Sequence, residues 1–164
     1  MITYKIGNLV DAFASDEIDA LIHGCNCYCT MGAGIAKEIA TKFPLAVSAD
    51  KKTSPGSRSK LGSYSVAIYK TISGSQKYIV NAYTQFTYWD KYDMLSYDAI
   101  CKALYKFSRE IQDKNLKIGM PFIGCGLAGG SWKIVSAIIE TYLFEFPNVY
   151  VYALNEETLN KMTK

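Results

Sequence analysis

The chain has 164 residues and a formal net charge of +3; 49% of its residues are hydrophobic and 20% are charged. These values fit one domain over residues 1–164 with a full hydrophobic core, and no apolar run approaches the roughly 20 residues of a membrane-spanning helix. The small positive charge is compatible with an anionic ligand, but it is too weak to indicate general nucleic-acid binding.

The first half of the chain is predicted to alternate strands and helices. Ile2–Ile6 is partly β-branched and partly aromatic, and Ala20–Cys25 is mostly apolar, so both are predicted strands. A short helical turn over Leu9–Ser15 lies between them. Apolar residues at helical spacing predict a helix over Ile35–Phe43. Ser48–Leu61 is rich in Ser, Lys, Gly and Pro and is therefore predicted to be a loop.

The second half of the chain continues this alternation. A 3.6-residue apolar pattern predicts a long helix over Asp93–Gln112, and Ser131 is the predicted N-cap of a helix that ends at Phe144. A short polar helix is predicted over Asn155–Lys164. Four more strands are predicted over Tyr64–Tyr69, Tyr78–Tyr83, Ile118–Phe122 and Val149–Leu154.

The order of these elements predicts an α/β fold, a three-layer α/β/α sandwich with a mixed, largely parallel central sheet. In open sheets of this kind, ligands bind beyond the carboxyl ends of the strands. Two glycine-rich segments each follow a predicted strand and precede a predicted helix, so both are expected on that side. We name them loop one, Asn26–Gly34, and loop two, Gly124–Ser131.

The two loops have the composition of phosphate-binding loops. Glycine lets backbone N–H groups point into one concavity, and a helix N-terminus behind the loop adds partial positive charge. Two such loops suit two linked phosphates, although each loop alone is equally consistent with a tight strand-to-helix turn. Loop two nearly matches a P-loop, but Gly130 stands where that motif has its lysine. Loop one lacks the third glycine of the dinucleotide-binding motif.

The two motifs together resemble the macrodomain family. The nearest branch contains the yeast-type ADP-ribose-1″-phosphate phosphatase and the terminal ADP-ribose protein glycohydrolase. The resemblance implies binding of ADP-ribose or ADP-ribose-1″-phosphate, and it leaves ADP-ribosylated protein open as a further partner. It covers nearly the whole chain in order, and its motifs are His23–Asn26, Met31–Ala36, Met120–Leu127, Ser131-Trp132 and, at the two ends, Gly7-Asn8 and Val151–Leu154.

The resemblance also implies roles for individual residues. Asn8, with Leu9 beside it, matches the position that contacts the adenine amine. Tyr152 matches an aromatic residue that packs on adenine, although an aromatic residue in an apolar strand is as readily part of the core. Asn26 matches the asparagine beside the distal ribose. The phosphate-loop positions match Met31, Gly32, Ala33, Gly34, Ile35, Gly124, Cys125, Gly126 and Leu127.

The predicted chemistry depends on departures from the family pattern. Gln85 and Ala128 stand where the glycohydrolase branch has a lysine and an aspartate, which disfavours that mechanism. His23, the single histidine, matches a histidine of the phosphatase branch, and imidazole suits proton transfer near neutral pH. We therefore predict a metal-independent phosphatase in which His23 moves the proton and Asn26 orients the water or the ribose. The alternative is that His23 faces the core.

Three further expectations complete the sequence-based hypothesis. Asp90 follows a strand on the predicted ligand side and is the candidate acid partner, although loop acids are more often solvated. Five cysteines without a secretion signal favour reduced thiols and a cytoplasmic location. Their spacing is unlike that of zinc sites, so neither a metal nor another cofactor is predicted. Two alternatives to the phosphatase remain, a non-catalytic ADP-ribose-binding module and a glycohydrolase with a non-standard catalytic set.

Overall fold

The computed structural model describes residues 1–164 without a gap. The strands are β1 (Ile2–Ile6), β2 (Ala20–Cys25), β3 (Tyr64–Lys70), β4 (Gln76–Tyr83), β5 (Ile118–Met120) and β6 (Val149–Ala153). The helices are α1 (Leu9–Ala14), α2 (Gly34–Lys42), α3 (Pro44–Lys51), α4 (Tyr97–Glu110), α5 (Trp132–Tyr142) and α6 (Glu156–Thr163), with one 3₁₀ turn at Arg58–Lys60. None of these helices has both the length and the apolar character needed to cross a membrane.

All six strands form one sheet in the order β1-β6-β5-β2-β4-β3. Every neighbouring pair is parallel except β3 and β4, which a short hairpin joins in antiparallel register. The interior strands are apolar on both faces, as expected for parallel strands that helices cover on both sides. The predicted mixed, largely parallel sheet is therefore confirmed.

Two separate hydrophobic clusters cover the two faces of the sheet. Successive side chains of β2 point to opposite faces, so Leu21 packs in the cluster that contains α1, α2 and α3, whereas Ile22 packs in the cluster that contains α4 and α5. Helix α6 packs beside α5 and against β6. This arrangement is the predicted three-layer sandwich.

The elements depart from their predicted bounds where a local signal outweighs the apolar pattern. Helix α3 occupies part of the segment predicted as a loop, because Pro44 at its first turn is preset for a helix and Ala46 is buried. Helix α4 begins only after Ser96, whose hydroxyl oxygen accepts from the Ala99 N–H. Strand β5 ends before Pro121, which has no N–H for the ladder.

The strand order brings several connecting segments to one edge of the sheet. Loop one follows β2 and loop two follows β5, and these strands are direct neighbours. On one side of this pair lie the ends of β6 and β1, and on the other side lies the end of β4. The segments therefore follow one another along the edge in the order Gly7-Asn8, Leu154, loop two, loop one and Gln85.

Candidate functional site

A cleft of about 790 Å³ runs along this carboxyl edge of the sheet. Its volume lies in the range of about 300–1,000 Å³ that is usual for small-molecule sites. None of the lining residues is Lys or Arg. An anion in the cleft would therefore be held by backbone N–H groups and polar side chains instead of by cations. Most of the lining comes from residues 7–9, 24–26, 30–36, 121–124, 126–128 and 152–154, together with a few isolated residues such as Gln85.

Loop one presents the uncapped start of helix α2 to the cleft. Ala33 occupies the N-cap position, so no side chain accepts from the free N–H groups of the first turn, and that turn contains no acidic residue. Gly34 has a φ of +55°, in the left-handed region that favours glycine. The helix dipole adds partial positive charge to these N–H groups, which makes the loop suited to a phosphate oxygen.

Loop two is a closed turn whose tip points into the cleft. The Gly130 N–H donates to the Gly124 carbonyl at 2.7 Å, and the Gly129 N–H donates to the Gly126 carbonyl at 3.1 Å. These two bonds fix the turn and leave Gly126 and Leu127 on the cleft side, where Leu127 is 85% exposed. The two loops therefore face the same cavity, as predicted from their positions after neighbouring strands.

Cys125 differs from the other residues predicted in loop two. It is buried, and its thiol lies 3.4 Å from the carbonyl oxygen of Ile123. Cys125 does not line the cleft, whereas its neighbours Gly124, Gly126 and Leu127 do. Its backbone N–H donates to the Phe122 carbonyl at 3.0 Å and is therefore not free for a ligand.

The end of the cleft near β1 and β6 contains Asn8, Leu9 and Tyr152. Both parts of the Asn8 amide are engaged, because Oδ1 accepts from the Asp11 N–H and Nδ2 donates to Glu38 Oε1, each at 2.9 Å. The Tyr152 hydroxyl donates to Glu17 Oε1 at 3.1 Å, and burial and this bond raise the pKa of Tyr152. Tyr152 is only 7% exposed, so it belongs to the core and lines the cleft at the same time.

The structure does not bring His23 to the cleft. Its ring is fully buried on the α3 side of the sheet, and Nε2 donates to Asn81 Oδ1 at 2.7 Å. The Asn81 amide nitrogen donates to the Ala46 carbonyl and to a serine hydroxyl, so its oxygen must face the protonated ring nitrogen. Burial lowers the pKa of His23 to about 4, against the raising effect of the Asn81 bond. The prediction that His23 moves a proton in the cleft is therefore wrong, because the ring does not reach the cleft.

Of the two other predicted catalytic residues, Asn26 lines the cleft and Asp90 does not. Asn26 lines the cleft, with Oδ1 accepting from the Tyr28 N–H at 2.8 Å and Nδ2 donating to Thr30 Oγ1 at 2.7 Å. Asp90 lies outside the lining, and its carboxylate accepts from the Tyr92 N–H at 3.0 Å. The structure thus places Asn26 where it can contact a ligand and keeps Asp90 in a neighbouring surface turn.

The cleft also contains residues that sequence reasoning did not select. Asp50, from α3, lines it although only 1% of the residue is exposed. Glu38, Thr30 and Tyr88 line it as well, beside Gln85, which the sequence singled out only for the lysine it replaces. Asp50 fell in a segment predicted to be a loop, so no periodicity pointed to its burial. The contact of Glu38 with Asn8 spans two helices and has no local signal in the sequence.

Comparisons with known proteins agree with this architecture. The family model named Macro domain matches residues 22–139. An uncharacterized 17.5 kDa protein of the tk-vs intergenic region of Enterobacteria phage T4 is 36% identical over 145 residues, 87% of this chain and 90% of that protein. The ADP-ribose glycohydrolase OARD1 of Bos taurus is 30% identical over 150 residues, 92% of this chain and 88% of that protein.

Two mycobacterial relatives complete the comparison. A DNA ADP-ribosyl glycohydrolase of Mycobacterium tuberculosis is 28% identical over 91% of this chain, and the chain spans 40% of that protein's length. The solved macrodomain of Mycobacterium tuberculosis DarG superposes with a TM-score of 0.74 at 25% identity. This superposition covers 93% of this chain and 97% of the solved one.

Proposed function

The chain belongs to the Macro domain family, and on this premise we propose that its cleft binds ADP-ribose. The observation that carries the proposal is the cleft between two loops, which offers backbone N–H groups and no Lys or Arg side chain. Such a lining suits a diphosphate that must be held without a metal or a strong ion pair. The names of two relatives, both ADP-ribose or ADP-ribosyl glycohydrolases, support the same ligand.

The order of segments along the sheet edge supports one orientation of the ligand. In this proposal adenine packs on Tyr152 at the β6 end, near Asn8 and Leu9. The diphosphate lies between loop one and loop two at the centre. The terminal ribose then reaches Asn26, which follows β2, and the neighbouring end of β4.

We further propose that the protein hydrolyses a bond at C1″ of the terminal ribose. The first candidate substrate is ADP-ribose-1″-phosphate, since Gln85 and Ala128 replace the lysine and aspartate of the glycohydrolase pattern. The second candidate is an ADP-ribosylated macromolecule, which the names of the relatives favour. Neither reaction uses His23, which is sealed in the core.

Calorimetry and a turnover assay test these statements separately. ADP-ribose should bind, and AMP, which lacks the second phosphate and the terminal ribose, should bind at least about tenfold more weakly. Absence of binding at millimolar ADP-ribose would contradict the whole proposal. Release of phosphate from ADP-ribose-1″-phosphate, or of ADP-ribose from a modified protein, identifies the reaction. Binding without either release would leave a non-catalytic module.

Gly130→Ala should weaken ADP-ribose binding by about tenfold. A Cβ at this position would lie 2.7 Å from the Gly124 carbonyl oxygen and would also collide with the Leu95 side chain, so the bond that closes loop two cannot form. Gly74→Ala is the matched control, because Gly74 has a φ of +92° in the β3–β4 hairpin, far from the cleft. The control should lose some stability and keep its affinity. Equal affinities for the two variants would argue against a role for loop two.

A further inference from the structure

Asp50 is a buried carboxylate with one free oxygen at the cleft. Its Oδ1 accepts from the Tyr83 hydroxyl at 2.8 Å, while Oδ2 accepts from no protein group. The one side-chain nitrogen or oxygen atom that is fully buried without a partner is Thr84 Oγ1. Asp50 Oδ2 also lacks a protein partner but is not among the fully buried atoms, so it has a small exposed area although the residue is only 1% exposed, and the residue lines the cleft. A ligand or a water molecule in the cleft would meet Asp50 at this small exposed part.

Stability alone gives no reason for a carboxylate at this position. Asp50 lies in the last turn of α3, where the negative end of the helix dipole disfavours an anion. A carboxylate that is removed from water and receives a single side-chain hydrogen bond carries a desolvation cost. The Lys60 ammonium donates to the Cys27 carbonyl and to the Cys29 thiol of loop one, and none of the salt bridges joins it to Asp50. A residue that lowers the stability of the fold in this way often has a function.

The contacts of Asp50 place it at the terminal-ribose end of the proposed ligand. Tyr83, its hydrogen-bond donor, ends β4 and pairs in register with Cys25, and Asn26 is the next residue after Cys25. On the other side, the Cys29 thiol of loop one lies 3.2 Å from the Asp50 carbonyl oxygen. Asp50 is thus held between the two segments that flank the position of the terminal ribose.

The other titratable side chains of the cleft are less suited to accept a proton there. Glu38 accepts from Asn8 at the adenine end and lies 3.7 Å from the Lys42 ammonium. Burial raises the pKa of the Cys25 thiol, and the nearby Asp50 raises it further. Tyr88 is 53% exposed at the rim. Asp50 is the one carboxylate that lines the end of the cleft at β2 and β4.

We propose that Asp50 is the catalytic base, whose free Oδ2 accepts a proton from a water molecule that attacks C1″ of the terminal ribose. The water oxygen forms a bond to C1″, and the bond from C1″ to the leaving-group oxygen breaks. The leaving group departs with the electron pair, which for ADP-ribose-1″-phosphate gives inorganic phosphate. The proton on Asp50 then passes to solvent. Asn26 and the Tyr83 hydroxyl position the ribose and the carboxylate. This inference rests on the proposed function.

Asp50→Asn in the full chain tests the base directly. The amide keeps the shape and the contact with Tyr83 but cannot take the proton, so kcat for ADP-ribose-1″-phosphate should fall about 10³-fold. The Kd for ADP-ribose should change less than about threefold, because the diphosphate loops are untouched. Asp98→Asn makes the same exchange on the exposed face of α4 and should leave both values unchanged. A folded Asp50→Asn variant with unchanged kcat would overturn the proposal.

Two further measurements separate a base from a structural residue. Formate should restore part of the activity of Asp50→Ala, since it supplies a carboxylate in the vacated space, whereas a purely structural role predicts no rescue. In ¹⁸O-labelled water, attack at C1″ should leave the released phosphate unlabelled, and labelled phosphate would overturn the proposed step. Loss of ADP-ribose affinity in parallel with the rate in Asp50→Asn would also overturn it.

The wild-type protein distinguishes this inference from the proposed function. Absence of ADP-ribose binding to wild type would remove the proposed function itself. Binding without turnover of ADP-ribose-1″-phosphate or ADP-ribosylated protein would overturn both hydrolysis and the base. Turnover that survives in Asp50→Asn would overturn the base alone.

Discussion

Ala33→Asp should raise the stability of the protein and lower its affinity for ADP-ribose by about 100-fold. Ala33 is the N-cap of α2, in an extended conformation, and its methyl group satisfies none of the N–H groups of the first turn. An aspartate there would accept from those N–H groups and stabilise the folded protein by about 1 kcal/mol. The same carboxylate would occupy the N–H groups proposed to bind a phosphate and would repel the phosphate by its charge. Each hydrogen bond to a charged group contributes about 1.5–3 kcal/mol.

Ala33→Asn is the matched control for charge. The asparagine side chain caps the same N–H groups without a negative charge, so we expect a similar gain in stability and a loss of affinity nearer to tenfold. Urea unfolding and calorimetry with ADP-ribose measure the two quantities. If Ala33→Asp became more stable and still bound ADP-ribose as wild type does, loop one would not be a phosphate site.

When the pH falls from 7.5 to 5, the free energy of unfolding should decrease by about 2 kcal/mol less in His23→Gln than in wild type. The pKa of His23 falls from 6.5 in the unfolded chain to about 4 in the fold, chiefly because the ring is fully buried. Below pH 6.5 the unfolded state therefore binds more protons, so this residue lowers stability as the pH falls from 6.5 towards 4 and has no effect above that range. Between pH 7.5 and pH 5 the loss is about 2 kcal/mol.

The comparison is made by urea unfolding of wild type and His23→Gln at pH 7.5 and pH 5. Glutamine can donate to Asn81 but does not titrate, and all other groups are common to both proteins, so their contributions cancel in the difference. The variant should also keep ADP-ribose binding and turnover at pH 7.5. Identical pH dependence in the two proteins would mean that the ring is accessible to water in the folded state.

The sequence by itself determined the fold class and the position of the two glycine-rich loops. Strands β1 and β2 have the predicted bounds, and the glycines of loop one and loop two lie at the ends of neighbouring strands. These features are local, because apolar periodicity and glycine content depend on residues adjacent in the chain. Their order along the chain was sufficient to indicate one cleft and the family.

The tertiary structure decided which side chains reach that cleft. His23 lies in a strand that is buried on both faces, so its apolar neighbours did not tell which side its ring occupies. The answer depends on Asn81, a residue of another strand. Asp50 reaches the cleft because Pro44 starts a helix and because Tyr83, distant in sequence, holds its carboxylate. Burial and hydrogen-bond partners are set by contacts between distant segments, and no local pattern contains them.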